Sequence, residues 1–361
     1  MQVCSRCVMN DKSDPFIEFD DNGHCNYCKK AFSEMNDIYF PNTEGASKLK
    51  SMLDEIKSNR LGEYDCLMGL SGGLDSSYLA YLGATKWNLK IVALHIDDGF
   101  DTEISKENIE KLCRCAGIKL INIKPDSKQF NDLIKAYLKA GVPNIAAPQD
   151  NILFAYLYEY ARENKIKYFL SGGNFSLESI LQYGNTYDAA DTVNIKSIHK
   201  AFGEESISNL KLLSKMQRYI DDKILKIRTI RPLNYIDYSK ERAFKELNEF
   251  CGFKYYGSKH LENYLTAFVQ LFWMPQKFDV DKRTSHLSSL IVSGQLTRNE
   301  ALIELEKPLY SQEYFDRLLE IILDSLKLTK EEFAEIMRGP TRQHTEFRTD
   351  KLAKLVKKIL R

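Results

Sequence analysis

From Tyr64 onward, short apolar runs alternate with segments of helical periodicity. The run YDCLMGLS (64–71) reads as a buried strand and SSYLAYLGATKW (76–87) as a helix. KIVALHID (90–97) is a second strand, and residues 102–117 form the next helix. KLINIK (119–124) is a strand again, followed by a helix from Asp126 to Lys139. After a loop holding Pro143 and Pro148, NILFAYLYEYARENK (151–165) returns to helical spacing and KYFLSG (167–172) to a strand. Length, flanking breaks and β-branched content separate the two kinds of segment. Such strict alternation predicts an α/β fold with a doubly wound parallel sheet.

The flanks follow other patterns. Residues 1–30 are polar and rich in Asn, Asp and Gly, and a charged helical connector runs to about residue 60, with Pro41 and Gly45 as breaks. Residues 175–235 lose the βα rhythm; they carry a loop-like section and one long helix over about 209–227, ending before Arg231-Pro232. Past about 239 the periodicity is mostly helical. The last eleven residues, KLAKLVKKILR, set Leu352, Leu355, Val356, Ile359 and Leu360 on one stripe with lysines opposite. The expected organisation is an N-terminal unit over 1–40, an α/β domain over 60–238 and a helical region over 239–361.

Composition narrows the class. The 361 residues are 43% hydrophobic and 28% charged with a net charge of +1, the balance of a globular protein with a sizeable core. Nothing global points to nucleic acid, and neither a membrane-spanning run nor a signal-peptide pattern is seen, so a cytoplasmic location is expected.

Four of the eight cysteines form two tight pairs, Cys4-x-x-Cys7 and Cys25-x-x-Cys28. Each CxxC turn aims two thiolates at one point, and four thiolates close a tetrahedral Zn²⁺ site with no open position. An iron–sulfur cluster is the alternative occupant, and His24 a competing ligand. A stretch this polar cannot build an apolar core unaided, so the expectation is a zinc ribbon in a reducing compartment. Cys113 and Cys115 lie on a predicted helix and read as packing residues.

Ser71-Gly72-Gly73-Leu74-Asp75-Ser76-Ser77 occupies the first strand-to-helix turn. Small residues let the backbone approach a ligand closely, the helix start presents free N–H groups, and three serine hydroxyls add donors. The turn is suited to a polyphosphate, yet it lacks the GxxxxGK[ST] pattern and its lysine. The string resembles the PP-loop of the ATP pyrophosphatases, which split ATP between its α and β phosphates; GMP, NAD and asparagine synthetases and tRNA thiolation enzymes are among them. The resemblance extends to LHIDDGF (94–100), where the family's backbone contacts to adenine would fall on Leu94, His95 and Ile96. It extends also to Ser171-Gly172-Gly173-Asn174 with Glu178, which looks like the second Gly-rich loop. The resemblance implies ATP and Mg²⁺, with Asp75 and Glu178 as candidate magnesium ligands.

Two further strings are dense in ligand-ready groups: Tyr255 to Glu262, which holds Lys259 and His260, and Lys277 to Ser289, which holds Lys282, Arg283 and His286. Their side chains could bind phosphates or a carboxylate. Taken with the cysteine ribbon, these strings resemble the N-acetyl sugar amidotransferases of bacterial lipopolysaccharide and flagellin-glycan synthesis, with Ser258 departing from the expected second glycine. That likeness implies conversion of an acetamido group on a nucleotide-linked sugar to an acetamidino group, with Lys259, Lys282, Arg283 and His286 as candidate catalytic residues. It also implies a separate glutaminase subunit as partner, since residue 2 is Gln2 and none of the scattered cysteines sits in a GxCxG elbow. The competing classes are a zinc-containing PP-loop tRNA thiolation enzyme and a non-catalytic nucleotide-binding protein. Cysteines beyond Cys251 and a basic surface would be expected of the first, and decayed loops of the second.

Overall fold

Five parallel strands set the architecture: β1 (Cys66–Gly69), β2 (Ile91–Ile96), β3 (Lys119–Ile123), β4 (Tyr168–Leu170) and β5 (Arg228–Ile230), in the order β3-β2-β1-β4-β5. The structure is a computed structural model and describes residues 1–12, 14–257 and 261–351. Successive strand residues face opposite sides. Cys66 and Met68 of β1, with Ile91 and Ala93 of β2, join the core beneath helices Leu74–Tyr81, Glu103–Ala116 and Lys240–Cys251. Leu67, Val92 and Leu94 join the opposite core under helix Ala147–Glu163. The order reverses at β1: β2 lies on one side of it and β4 on the other. The loops after β1 and β4 therefore meet at the carboxyl edge, where open α/β sheets bind ligands.

Most sequence expectations stand within a few residues, and the differences have local causes. No single helix spans 209–227. Residues 203–214 run as an irregular strap, because the Asn151 side chain accepts from Leu213 N at 3.0 Å and donates to Leu213 O at 2.9 Å. Only Lys215–Tyr219, capped by Ser214, is α-helical, and it continues as a π turn over Ile220–Ile224. β5 and helix Thr192–Phe202 lie where a loop and a helix end are expected. Gly45 is not a break: it lies in the first turn of helix Thr43–Ser58, its N–H held by the Asn42 side chain.

The C-terminal helices do not stand apart. Helix Lys240–Cys251 packs into the sheet's own core through Ala243 and Leu247. Tyr264–Phe268, a π turn at Val269–Trp273, and Met274–Phe278 run as one rod against helix Gln312–Leu326, with Phe272 stacked on Phe315. Pro275 supplies no N–H to the preceding turn, which is where the π segment falls. The apolar stripe after residue 351 lies outside the described residues. Among the described residues no helix is long and apolar enough to cross a membrane.

The cysteine ribbon packs on helix Arg283–Val292 and on the turn around Phe175–Ile180. Arg298, at the start of a helix opened by a Thr297/Glu300 capping box, donates to the carbonyls of Cys7 and Cys4 at 3.1 and 3.0 Å.

Candidate active site

β1 delivers the chain to the Ser71–Gly73 turn, and helix Leu74–Tyr81 starts straight out of it. Gly72 has φ +75°, and a Cβ there would stand 2.5 Å from the Ser105 carbonyl oxygen, so the position excludes a side chain twice over. Gly73 N donates to Ser71 Oγ at 3.2 Å. β4 ends in a turn of the same kind, where Gly173 N donates to Ser171 Oγ at 3.2 Å. The two turns touch: a Cβ on Gly172 would fall 2.8 Å from Ser76 N. Asn174 caps helix Phe175–Glu178, and the Glu178 carboxylate folds back over Gly173, whose own Cβ would meet Oε2 at 2.9 Å.

Both turns open on a cleft of about 500 Å³. Ser71, Gly73, Asp75, Ser76, His95, Ile96, Gly172, Gly173, Glu178 and Lys282 all line it, so sequence segments more than two hundred residues apart converge there. The remaining expected site residues do other work. Ser77 is wholly buried and Gly72 shapes the turn. Leu94 is buried in β2, with its carbonyl accepting from Leu70 N at 2.9 Å, and Asn174 serves as the cap. Arg283 does not line the cleft: it pairs with Asp281 at 2.8 Å and donates to the carbonyls of Glu304, Leu305 and Lys307, which end a helix. His286 sits one turn into helix Arg283–Val292, half-buried and away from the lining. Lys259 and His260 lie outside the described residues.

Several groups in or beside the cleft have contacts that the motifs did not assign. Tyr238 donates to Asp75, and Tyr256 accepts the N–H of Leu74 at 2.8 Å. Ser71 Oγ donates to Glu262 at 3.4 Å. At the end of β2, Asp98 accepts from Phe100 N at 2.9 Å, from Asn263 Nδ2 at 3.2 Å, and from Gln149. Burial and the neighbouring Asp101 charge push Asp98 up to about 6. His95 Nδ1 donates to Leu70 O at 2.9 Å, while Nε2 lies 3.3 Å from Asp101. Burial resists a charge on this imidazole, but Asp101 outweighs it and the pKa lies above its ordinary value. The signal available in the sequence was the acidic string Asp97-Asp98-Gly99-Phe100-Asp101 directly after a strand, whose carboxylates suit a cleft better than a bare backbone contact does. Lys282 shows the reverse shift: burial lowers it to about 8, with Asp14 the opposing charge that pulls it back up.

The ribbon cysteines fit a metal. All four are buried, their Sγ atoms lie within 4.8 Å of one another, and Cys4–Cys28 and Cys7–Cys25 are 3.8 and 3.6 Å apart. A tetrahedral site with Zn–S of about 2.3 Å requires sulfur separations of about 3.8 Å. Backbone N–H groups of Cys7 and Cys25 point at Cys4 Sγ at 3.4 and 3.2 Å, as expected around a thiolate. The other cysteines do not line the cleft; burial pushes Cys113 up to about 12, which makes it inert.

Residues 47–219 match the family described as NAD synthase, and residues 262–360 match the family described as LPS biosynthesis protein WbpG-like, C-terminal domain. An uncharacterized protein of Methanocaldococcus jannaschii is 23% identical over 321 residues, which covers 87% of this chain and 97% of that protein. A glutamine-hydrolyzing GMP synthase of Chlamydia caviae is 25% identical over 179 residues, 48% of this chain and 33% of its own length. The chain thus spans about a third of that synthase. The NMN synthetase structure from Francisella tularensis is 20% identical with a TM-score of 0.31, covering 63% of this chain and 91% of that one. With two Gly-rich turns at the carboxyl edge of a β3-β2-β1-β4-β5 sheet, in the region that matches NAD synthase, the chain has a PP-loop, NAD synthase-like fold. Its C-terminal region is similar to the C-terminal domain of WbpG-like lipopolysaccharide biosynthesis proteins.

Proposed function

We propose that this protein is an ATP-dependent amidotransferase that converts the acetamido group of a nucleotide-linked sugar to an acetamidino group, releasing AMP and pyrophosphate. One observation carries the reading: Lys282 and Glu262, from the WbpG-like region, line the same cleft as both Gly-rich turns. The GMP synthase relative acts at this level of chemistry too, by its name a glutamine-hydrolyzing synthase.

Bound ATP would supply the leaving group. The amide oxygen attacks the α-phosphorus, pyrophosphate departs, ammonia adds to the activated carbon, and AMP leaves with the oxygen. The chain's task is to hold charge and position. Ser71, Gly73 and Ser76 offer hydroxyl and N–H donors to the pyrophosphate, at a helix start whose dipole favours anions. Asp75 and Glu178 would hold Mg²⁺, which would neutralise charge on the departing pyrophosphate, and Tyr238 fixes the Asp75 carboxylate. Entering ammonia must shed protons, and the Lys282 amine, whose pKa burial lowers to about 8, can take one as the pH rises to that value. Zn²⁺ in the cysteine ribbon is structural in this scheme. Nitrogen comes from a separate glutaminase subunit.

A panel of nucleotide sugars incubated with protein, ATP, magnesium and ammonium, then analysed by mass spectrometry, tests the scheme. The product should be lighter by the difference between an oxygen atom and an NH group, and should not form with glutamine in place of ammonium. Glutamine-driven turnover by the chain alone, or thiolation of tRNA, would refute it.

A further inference from the structure

The cysteine ribbon does more than cap the N-terminus. Tyr27 sits between two of the metal-site cysteines, Cys25 and Cys28, and its side chain leaves the ribbon toward the turn Tyr183–Asn185. Its hydroxyl accepts the N–H of Tyr183 at 3.0 Å and donates to Asp14 Oδ2 at 2.7 Å. Asp14, fully buried, accepts the very next N–H, that of Gly184, at 3.1 Å. Gly184 is a glycine because the ribbon presses on it: a Cβ would stand 2.8 Å from Pro15 Cδ. The tilted rings of Tyr27 and Tyr183, 5.2 Å apart, and a bond from Lys30 Nζ to the Tyr183 hydroxyl at 2.8 Å complete the grip. The next two residues, Asn185 and Thr186, line the cleft.

We propose that Tyr27 and Asp14 are positioning residues through which the metal ribbon holds one wall of the active-site cleft, so that metal loading sets how well the substrate is bound. Two consecutive backbone donors of a short turn are fixed by two side chains of a unit whose own shape depends on four cysteines. A structural metal site needed only for local stability could have been placed anywhere on the surface; this one clamps a loop of the cleft. The bonds of Tyr27 and Asp14 fall on Tyr183 and Gly184 and not on the Gly-rich turns, so losing them affects the group being modified and not ATP. That last step rests on the sugar reading given above.

The test uses the full-length, metal-loaded protein and the variants Tyr27→Phe and Asp14→Asn, neither of which removes a metal ligand. Metal content by elemental analysis should equal that of wild type. Hydrogen exchange followed by mass spectrometry should show residues 182–187 exchanging about tenfold faster in each variant, in line with loss of a buried hydrogen bond, while residues 70–80 are unchanged. Chelation of the wild-type metal should reproduce the faster exchange. In turnover assays the KM for the sugar should rise about tenfold with the KM for ATP unchanged, a split that general destabilisation would not produce. Exchange equal to wild type in a folded Tyr27→Phe protein overturns the clamp, as does chelation that leaves 182–187 protected. Faster exchange with an unaltered sugar KM retains the clamp, and overturns instead the placing of the sugar against this wall.

Discussion

Lys282 offers the sharpest test, because the same burial that suits it to the cleft opposes folding. Replacing it with methionine shortens the side chain by one atom and removes the charge. In the folded protein its pKa falls from 10.5 to about 8, chiefly through burial. A group with a lowered pKa contributes stability that is present above its unfolded value and is lost as pH falls through its folded value. Below about pH 8 the folded state therefore carries the full penalty of an enclosed ammonium. Converted directly, the drop corresponds to about 3 kcal/mol; water in the cleft reduces this, and we expect about 2 kcal/mol. Urea titrations of both proteins at about pH 7 should place the methionine variant above wild type by that amount, and the gap should close towards about pH 10. The same variant should lose more than tenfold in ammonium-dependent turnover, the pattern of a residue kept for activity against stability. A variant less stable than wild type at neutral pH, or a gap that ignores pH, would refute the argument.

Three other predictions follow from the geometry. Wild type should bind one zinc ion per chain and Cys7→Ser none, with loss of the ribbon's protection from proteolysis; equal zinc by elemental analysis would dispose of the tetrathiolate site. Asp75→Ala should remain folded yet release no AMP or pyrophosphate above background, and products of ADP and phosphate from wild type would put the chain outside this chemistry. Gly172→Ala should push the two turns apart, since its Cβ would meet Ser76 backbone atoms at 2.8 and 2.9 Å, and should weaken ATP binding at least tenfold with about 1–3 kcal/mol of lost stability. Calorimetric ATP affinity equal to wild type would show that the turns need not touch.

How much of this could be read in the chain depends on the range of the interaction. Strands β1, β2 and β4 announce themselves through runs such as IVALHI because each is buried on both faces, and the first turn is legible because its glycines and serines are adjacent in sequence. β5 is three residues long, with Arg228 and Thr229 exposed, and carries too little apolar signal to stand out. The strap at 203–214 was hidden for another reason: it is held through Leu213 by Asn151, sixty-two residues earlier in the chain. Side-chain roles divide in the same way. Lys282 and Arg283 are neighbours with similar chemistry in sequence, and only packing decides that one faces the cleft and the other closes a helix end. The Asp98–Asn263–Gln149 group joins three separate segments, so no spacing rule could have gathered it.

The π turn at Val269–Trp273 has a consequence for how this region could change over evolutionary time. A π turn holds one residue more than the α turn it replaces, and each helical residue advances the chain by about 100°. Were the same residues wound as plain α-helix, everything after them would be swung by about that angle. Met274 would leave the cleft wall, and Lys277 would lose the carbonyls of Ile336, Met337 and Gly339 that its ammonium now binds. Point substitutions along this rod can be absorbed by repacking, and loss of one residue within the π turn by its closing to an α turn. Lineages of this protein should therefore vary in side chain along 264–278 and differ in length there by no more than the one residue of the π turn.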